Sequence, residues 1–246
     1  MRTYLRNVIW HCMALVMLAL IPSLLSSQSA QSTQATPATA MPEDNLSAAE
    51  FTVILKEAWS FLKDETDLYT KSVGKKTEFE TTAEFEKRSV EARQAYLAKV
   101  TKYVKDKKFD QRTIGVVLKA GLDQYDADNQ IYNVMSQGVI EAPYNLPSVS
   151  TEISPNNYVG LSDSIRKGYR TSSIYLKFNP YFKWQVGRDM AKAARASDGS
   201  IFFKVRFKVD MGQGDTRKGA RFAIVPKQIL LINQKTNTVY WEQMLR

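Results

Sequence analysis

The stretch that decides how this chain folds is IFFKVRFKVDM, residues 201–211. Ile201, Phe203, Val205, Phe207, Val209 and Met211 alternate with Phe202, Lys204, Arg206, Lys208 and Asp210, the period of two that marks a half-buried strand. One face is built to meet a core and the other is mostly cationic. Six buried side chains at about 1.5–3 kcal/mol each, before chain entropy is set against them, make the apolar face a core element.

Reading outward from this strand, Asp198-Gly199 is a turn that delivers the chain into it, and residues 185–196 before the turn are amphipathic with the spacing of a short helix. After the strand comes a glycine-rich loop, GQGDTRKG at 212–219. Residues 220–225 then resume as a strand, and 228–232 pair with 238–243 across a turn at 233–237. Upstream, 114–123 and 131–136 read as two strands joined through the turn-rich 125–129, and 172–178 as a further strand ended by Asn179-Pro180. Ser154 with Pro155 behind it caps a short helix carrying Tyr158, Leu161 and Ile165 on one face.

Two long helices precede these strands. Ser47 and Glu50 form a capping box with Leu46 and Phe51 as its hydrophobic staple, and Phe51, Ile54, Leu55, Ala58, Leu62, Tyr69 and Val73 follow at helical spacing up to Gly74. A second box, Thr81 with Glu84, opens a helix to about Lys107, with Phe85, Ala92, Tyr96, Val100 and Tyr103 as its apolar stripe. Glutamates gather at its start and lysines at its end, as the helix dipole favours; that lysine run reads as a solvated helix end rather than a nucleic-acid patch. The fold class expected is α+β: an N-terminal pair of long helices, then a mainly antiparallel sheet of five to seven strands with two short helices.

The first thirty residues fall outside that fold. Arg2 and Arg6, the apolar run CMALVMLALIPSLL at 12–25 and the small residues up to Ala30 match a cleaved secretory signal, and the Ser-, Thr-, Ala- and Gln-rich 31–45 match a flexible tether. The expected organisation is therefore signal 1–30, tether 31–45, helical segment 46–108 and sheet domain 109–246, in a protein exported to the periplasm or beyond. The segment EFETTAEFEKR, residues 78–88, resembles segments of uncharacterised secreted or envelope proteins of bacteria. The resemblance implies the same address and carries no activity.

Removing the signal takes away two cations and no carboxylate, lowering the net charge from +9 to +7. It also takes His11 and Cys12, the only histidine and the only cysteine. Structural zinc sites, Ser-His-Asp and Cys-His catalysis and disulfides are excluded by inventory. No cofactor or metal is expected. Asp126 and Asp128 sit in a turn, but the EF-hand glycine position holds Ile131 and its closing glutamate position Gln137. Gly212-Gln-Gly214 joins two strands instead of opening a helix, as a dinucleotide fingerprint must, and Val73-Gly-Lys-Lys-Thr77 lacks the first glycine of a P-loop, since Tyr69 stands where that glycine would be. Ser60 with Lys63 and Ser164 with Lys167 fit S-x-x-K, but Asn237 replaces the glycine of the third motif of such enzymes.

What remains is a basic constellation: Lys204, Arg206 and Lys208 on one strand face, with Arg217, Lys218 and Arg221 across the glycine-rich loop. Together they would attract an anionic envelope polymer, a lipid surface or an acidic protein. Tyr169, Tyr175, Tyr181, Phe182 and Trp184 are available for stacking beside them or for the core. Against this stands the plainer role of alternate Lys and Arg in solvating an outer sheet face. The functional expectation is a non-enzymatic binding or accessory module; a carboxylate hydrolase of the envelope and a component of a surface or secretion assembly are the alternatives. Mass spectrometry of the exported protein is expected to show Gln31 at its N-terminus; a chain beginning at Met1 would mean that the apolar run is retained.

Overall fold

The computed structural model describes residues 36–37, 45–143, 149–166, 169–178, 181–213 and 220–246. The described residues form one compact unit. In chain order its elements are β1 (Thr36–Pro37), β2 (Leu46–Ser47), α1 (Ala48–Val73), α2 (Thr82–Asp106), β3 (Ile114–Asp126), β4 (Ile131–Gln137), β5 (Ile140–Ala142), β6 (Val149–Ile153), β7 (Val159–Arg166), β8 (Tyr169–Leu176), β9 (Phe182–Gln185), α3 (Arg188–Arg195), a 3-10 turn (Asp198–Ser200), β10 (Ile201–Gln213), β11 (Ala220–Asn233) and β12 (Thr238–Met244).

The strands make two sheets. The larger runs β1-β12-β11-β10-β3-β4-β9, with β2 added to β3 and β6 added to β11; the smaller runs β5-β8-β7. Its spine is the β10–β11 ribbon, in which every residue from Ile201 to Gln213 has an antiparallel partner. The spine is asymmetric. Ile201, Phe203, Val205, Phe207, Val209 and Met211 are all buried, facing Ile114, Val116 and Leu118 of β3 and Ile229 and Leu231 of β11 along one side of the sheet.

Helix α1 lies on that side. Phe51, Leu55, Ala58 and Leu62, spaced by three or four, are fully buried, and the Phe51 ring stacks on Phe207 at 5.2 Å between centroids. The Thr52 hydroxyl donates to the Glu141 carbonyl at 3.0 Å, which ties the same helix to β5. Both capping boxes are formed, Ser47 with Glu50 and Thr81 with Glu84. Gly74 ends α1 at φ +53°, a backbone angle a side chain would strain.

At the other end of the ribbon the sheet curls. Phe203 meets Phe178 and Phe182 at 4.9 and 5.8 Å, Phe182 meets Trp241 at 4.5 Å, and Trp184 meets Tyr240 at 5.0 Å. These contacts bring β9, at one end of the strand order, together through side chains with β12, next to the other end. A bulge makes this possible: Leu231 pairs with Trp241 and Ile232 with Val239, so Tyr240 is an extra residue that re-aims the aromatic pair. In the smaller sheet Gly160 lies under Tyr175, whose ring would be 2.4 Å from a Cβ there, so a side chain at that position would displace the tyrosine.

The architecture corrects the expected fold class. The two long helices are not an N-terminal pair followed by a sheet. Leu46 and Ser47 already pair, in parallel, with Val116 and Val117, so the helices are a crossover between two neighbouring strands of one sheet. The sheet is mixed, since β6 also runs parallel to β11, and a second sheet stands beside it. Only one short α-helix follows the pair among the described residues. The helix expected behind Ser154 is strand β7 instead. Asn156 explains this: its side-chain oxygen accepts from the amides of Tyr158 and Val159 at 2.9 and 2.8 Å, forming an Asx turn that sends Val159 into pairing with Leu176. Residues 220–225 and 228–232 are one strand, not two. Pro226, which cannot donate to a ladder, stands beside a bulge where Lys227 is skipped, and Leu245 donates to the freed Lys227 carbonyl at 2.8 Å.

Every buried residue of α1 lies at or before Thr66, and every buried residue of α2 at or after Tyr96. Thr66 and Tyr96 share a hydrogen bond of 3.2 Å, and Tyr69 stacks on Tyr96 at 5.2 Å. Beyond this lock the hairpin runs on past the core by about 20 Å, at 1.5 Å per residue of α2. Because Phe207 is fully buried and joins helix to ribbon, Phe207→Ala is expected to cost about 3–5 kcal/mol in urea unfolding; a loss under about 1 kcal/mol would mean that α1 is held elsewhere.

Candidate functional site

The outer face of the ribbon carries the charged residues singled out in the sequence. Register puts Lys204, Arg206 and Lys208 on it, together with Gln228 opposite Arg206 and Arg221 opposite Gly212. Arg217 and Lys218 lie outside the described residues. The face is not the open cationic row the alternation implies. Lys204 is only 3% exposed, and both it and Arg206 are engaged within the protein. Arg206 Nη1 donates to Gln228 Oε1 at 2.6 Å, and Gln228 Nε2 in turn donates to Glu242 Oε1, a chain across three strands. Arg221 pairs with Glu152 at 3.2 Å and Asp210 at 3.8 Å. Carboxylates therefore interleave with the cations. Lys208, half-buried, has no hydrogen-bond or ion-pair partner among the described residues.

Of the aromatic residues considered for stacking, Phe182 and Trp184 are packed in the core. Phe182 packs on Phe203, which alternates with Lys204 and so belongs to the other side of the sheet. Trp184 is buried between Tyr132 and Tyr240. Tyr175 covers Gly160 in the smaller sheet, and the side chain of Tyr169 lies outside what is described. Phe182 is thus separated from the cations by the thickness of the sheet.

A second feature, not visible in the sequence, is a cleft of about 640 Å³ at the turn of the helical hairpin, lined by Val73, Lys75, Phe79, Glu84, Lys87 and Glu91 around the pair Glu80–Arg88. The pair is a two-pronged fork: Arg88 Nε donates to Glu80 Oε1 at 2.9 Å and Nη2 to Oε2 at 2.8 Å. The third guanidinium nitrogen donates to the carbonyls of Ser72 and Val73, the last of α1, so one side chain closes the helix and fixes the loop. Phe85 packs beneath the guanidinium at 5.2 Å. The segment 78–88, singled out in the sequence, holds this clamp. Its spacing of eight residues fits no helical rule because Glu80 stands outside the helix, ahead of its cap.

Two acids of this cleft, Glu80 and Glu84, are both held in the ionised form. The Arg88 fork holds the Glu80 carboxyl below the usual carboxylate range, and the Thr81 hydroxyl and amide do the same for Glu84. Glycoside hydrolysis needs one carboxyl raised so that it can donate a proton. In the 126–129 turn, Asp126 is spent on its own loop, accepting from the amides of Asp128 and Asn129 at 3.1 and 3.0 Å and from Asn129 Nδ2 at 2.7 Å. No group of three metal-ligating side chains occurs among the described residues. Compared with known protein families, curated proteins and solved structures, the chain has no match in any of the three.

Because the folded pKa values of Glu50, Glu80 and Glu84 are depressed, these groups stabilise the helices above the ordinary glutamate range near 4.3 and lose that contribution as pH falls through their lowered values. Thermal melts followed by circular dichroism from about pH 7 to about pH 2 are expected to show this decline, and Glu80→Gln with Glu84→Gln to flatten part of it. Identical profiles would mean that the hairpin caps add nothing to stability.

Proposed function

We propose that the chain is an exported, non-enzymatic binding or accessory module that holds an anionic partner on the outer face of β10 and β11. The observation carrying this reading is Lys208: a half-buried cation without a partner among the described residues, on the same face as Arg221. Both of Arg221's carboxylate pairs are solvent-exposed, and exposed pairs of this kind are worth about 1 kcal/mol or less, so an incoming anion competes for it on favourable terms. Lys204 and Arg206 act from beneath, as positive charge built into the ribbon. Export rests on the charged, apolar and small-residue order of the first thirty residues.

The partner's chemistry follows from the face. It is shallow, lies on a sheet and mixes carboxylates with cations, which suits an extended polyanion such as an envelope polymer better than a small anion needing a pocket. Electrostatic binding of this kind weakens with salt. On a heparin resin, Lys208→Glu with Arg221→Glu is expected to elute at clearly lower salt than the unaltered protein while keeping its thermal midpoint within a few degrees. Elution at the same salt would sink the reading.

A further inference from the structure

Phe79 is 89% exposed, the most exposed large apolar side chain among the described residues, and it sits on a loop that is anything but loose. Arg88 clamps Glu80 next to it, Thr77 donates its amide to Glu80 at 3.3 Å, and Lys76 reaches Thr82 at 2.9 Å. In the same segment the other aromatic, Phe85, is packed under Arg88, whereas the Phe79 ring is left in solvent. A rigid loop that holds an aromatic ring in water is organised for contact, since little ordering entropy is left to lose on binding.

Beside that ring lies the cleft at the hairpin turn. Knob and hole therefore share one small surface. The charges around them are balanced: Lys75 and Lys87 have no partner among the described residues, and neither has Glu91, while Glu84 uses one carboxylate oxygen on Thr81 and leaves the other unused. A surface carrying a knob, an open cleft and charges of both signs has the parts that an isologous contact needs, since in such a contact each copy offers the same patch. A lipid surface is disfavoured by the same balance, because Glu78, Glu84 and Glu86 offset the local lysines.

We infer that the hairpin tip is a self-association surface: Phe79 of one copy seats in the cleft of a second copy and receives that copy's Phe79 in return, with Lys87 of each facing Glu84 and Glu91 of the other. Its position supports this. The α2 residues of the cleft, from Glu91 to Glu84, lie about 8–18 Å along the helix beyond the core lock at Tyr96, which carries the contact away from the buried core. The surface is small, which makes the pair a weak and reversible one.

Sedimentation velocity from about 1 to about 300 µM spans the range expected of so small an interface. The unaltered protein is expected to shift from monomer to dimer across it. Phe79→Ser should weaken the dimer at least about tenfold without changing the melting midpoint, since the ring is exposed. Lys87→Glu should weaken it as well, and adding Glu84→Lys and Glu91→Lys on the same chain should restore it, because reversed charges remain complementary. A protein monomeric throughout the range overturns the inference, as does a dimer that Phe79→Ser leaves intact. So does Phe79-dependent co-sedimentation of a monomer with phosphatidylglycerol vesicles, which would make the tip a membrane contact.

Discussion

The antiparallel ribbon of β10 and β11 is the constraint to which the other elements answer. Its inner face supplies Phe203, Val205 and Phe207, and each has a separate client: the aromatic group of β9 and β12, the strand β3, and the helix α1. Neither edge is covered along its whole length by one strand. On β11 the edge away from β10 is shared by β6 over Ala220–Ile224 and β12 over Gln228–Asn233, one parallel and one antiparallel. On β3 the edge away from β10 is shared in the same manner by β2 and β4. Bulges at Lys227 and Tyr240 let a flat ladder bend around the helix at one end and over the aromatic residues at the other.

This explains what could be read from the sequence and what could not. The ribbon strand and both long helices announce themselves, because alternation over eleven residues and two capping boxes are local signals of high density. The β3–β4 hairpin is legible for the same reason. Pairing partners far apart in the chain are not. Nothing in Leu46-Ser47 says that it will lie beside Val116-Val117, and two residues carry no periodicity at all. Asn156 is the instructive failure: Tyr158, Leu161 and Ile165 fit a helical face, yet one side-chain oxygen bonded to two backbone amides redirects the segment into a sheet.

The charged face shows a related limit. Period-two alternation assigns Lys204 to the side away from the core, which is right, but it equates that side with solvent, which is wrong for a residue only 3% exposed. Gln228 and Glu242 take part in a network with Arg206 that spans three strands, and such a network is fixed by register, not by composition. The hairpin clamp was hidden in another way. Its residues were in view as a recognisable segment, but Glu80 and Arg88 meet only because the loop folds back along the helix start.

The placement of the helices between β2 and β3 also sets an order of events for a chain made from its N-terminus. The hairpin α1–α2 is local in the chain, so the partners of its own contacts, such as Thr66 with Tyr96, are all made early. Its apolar row, Phe51, Leu55, Ala58 and Leu62, then waits for a ribbon whose Phe207 lies about 150 residues further along. During that interval an amphipathic helix stands with its greasy side uncovered, a species that associates with whatever apolar surface it meets first. The sequence separation between helix and sheet thus leaves the core unfinished until the last third of the chain has been made.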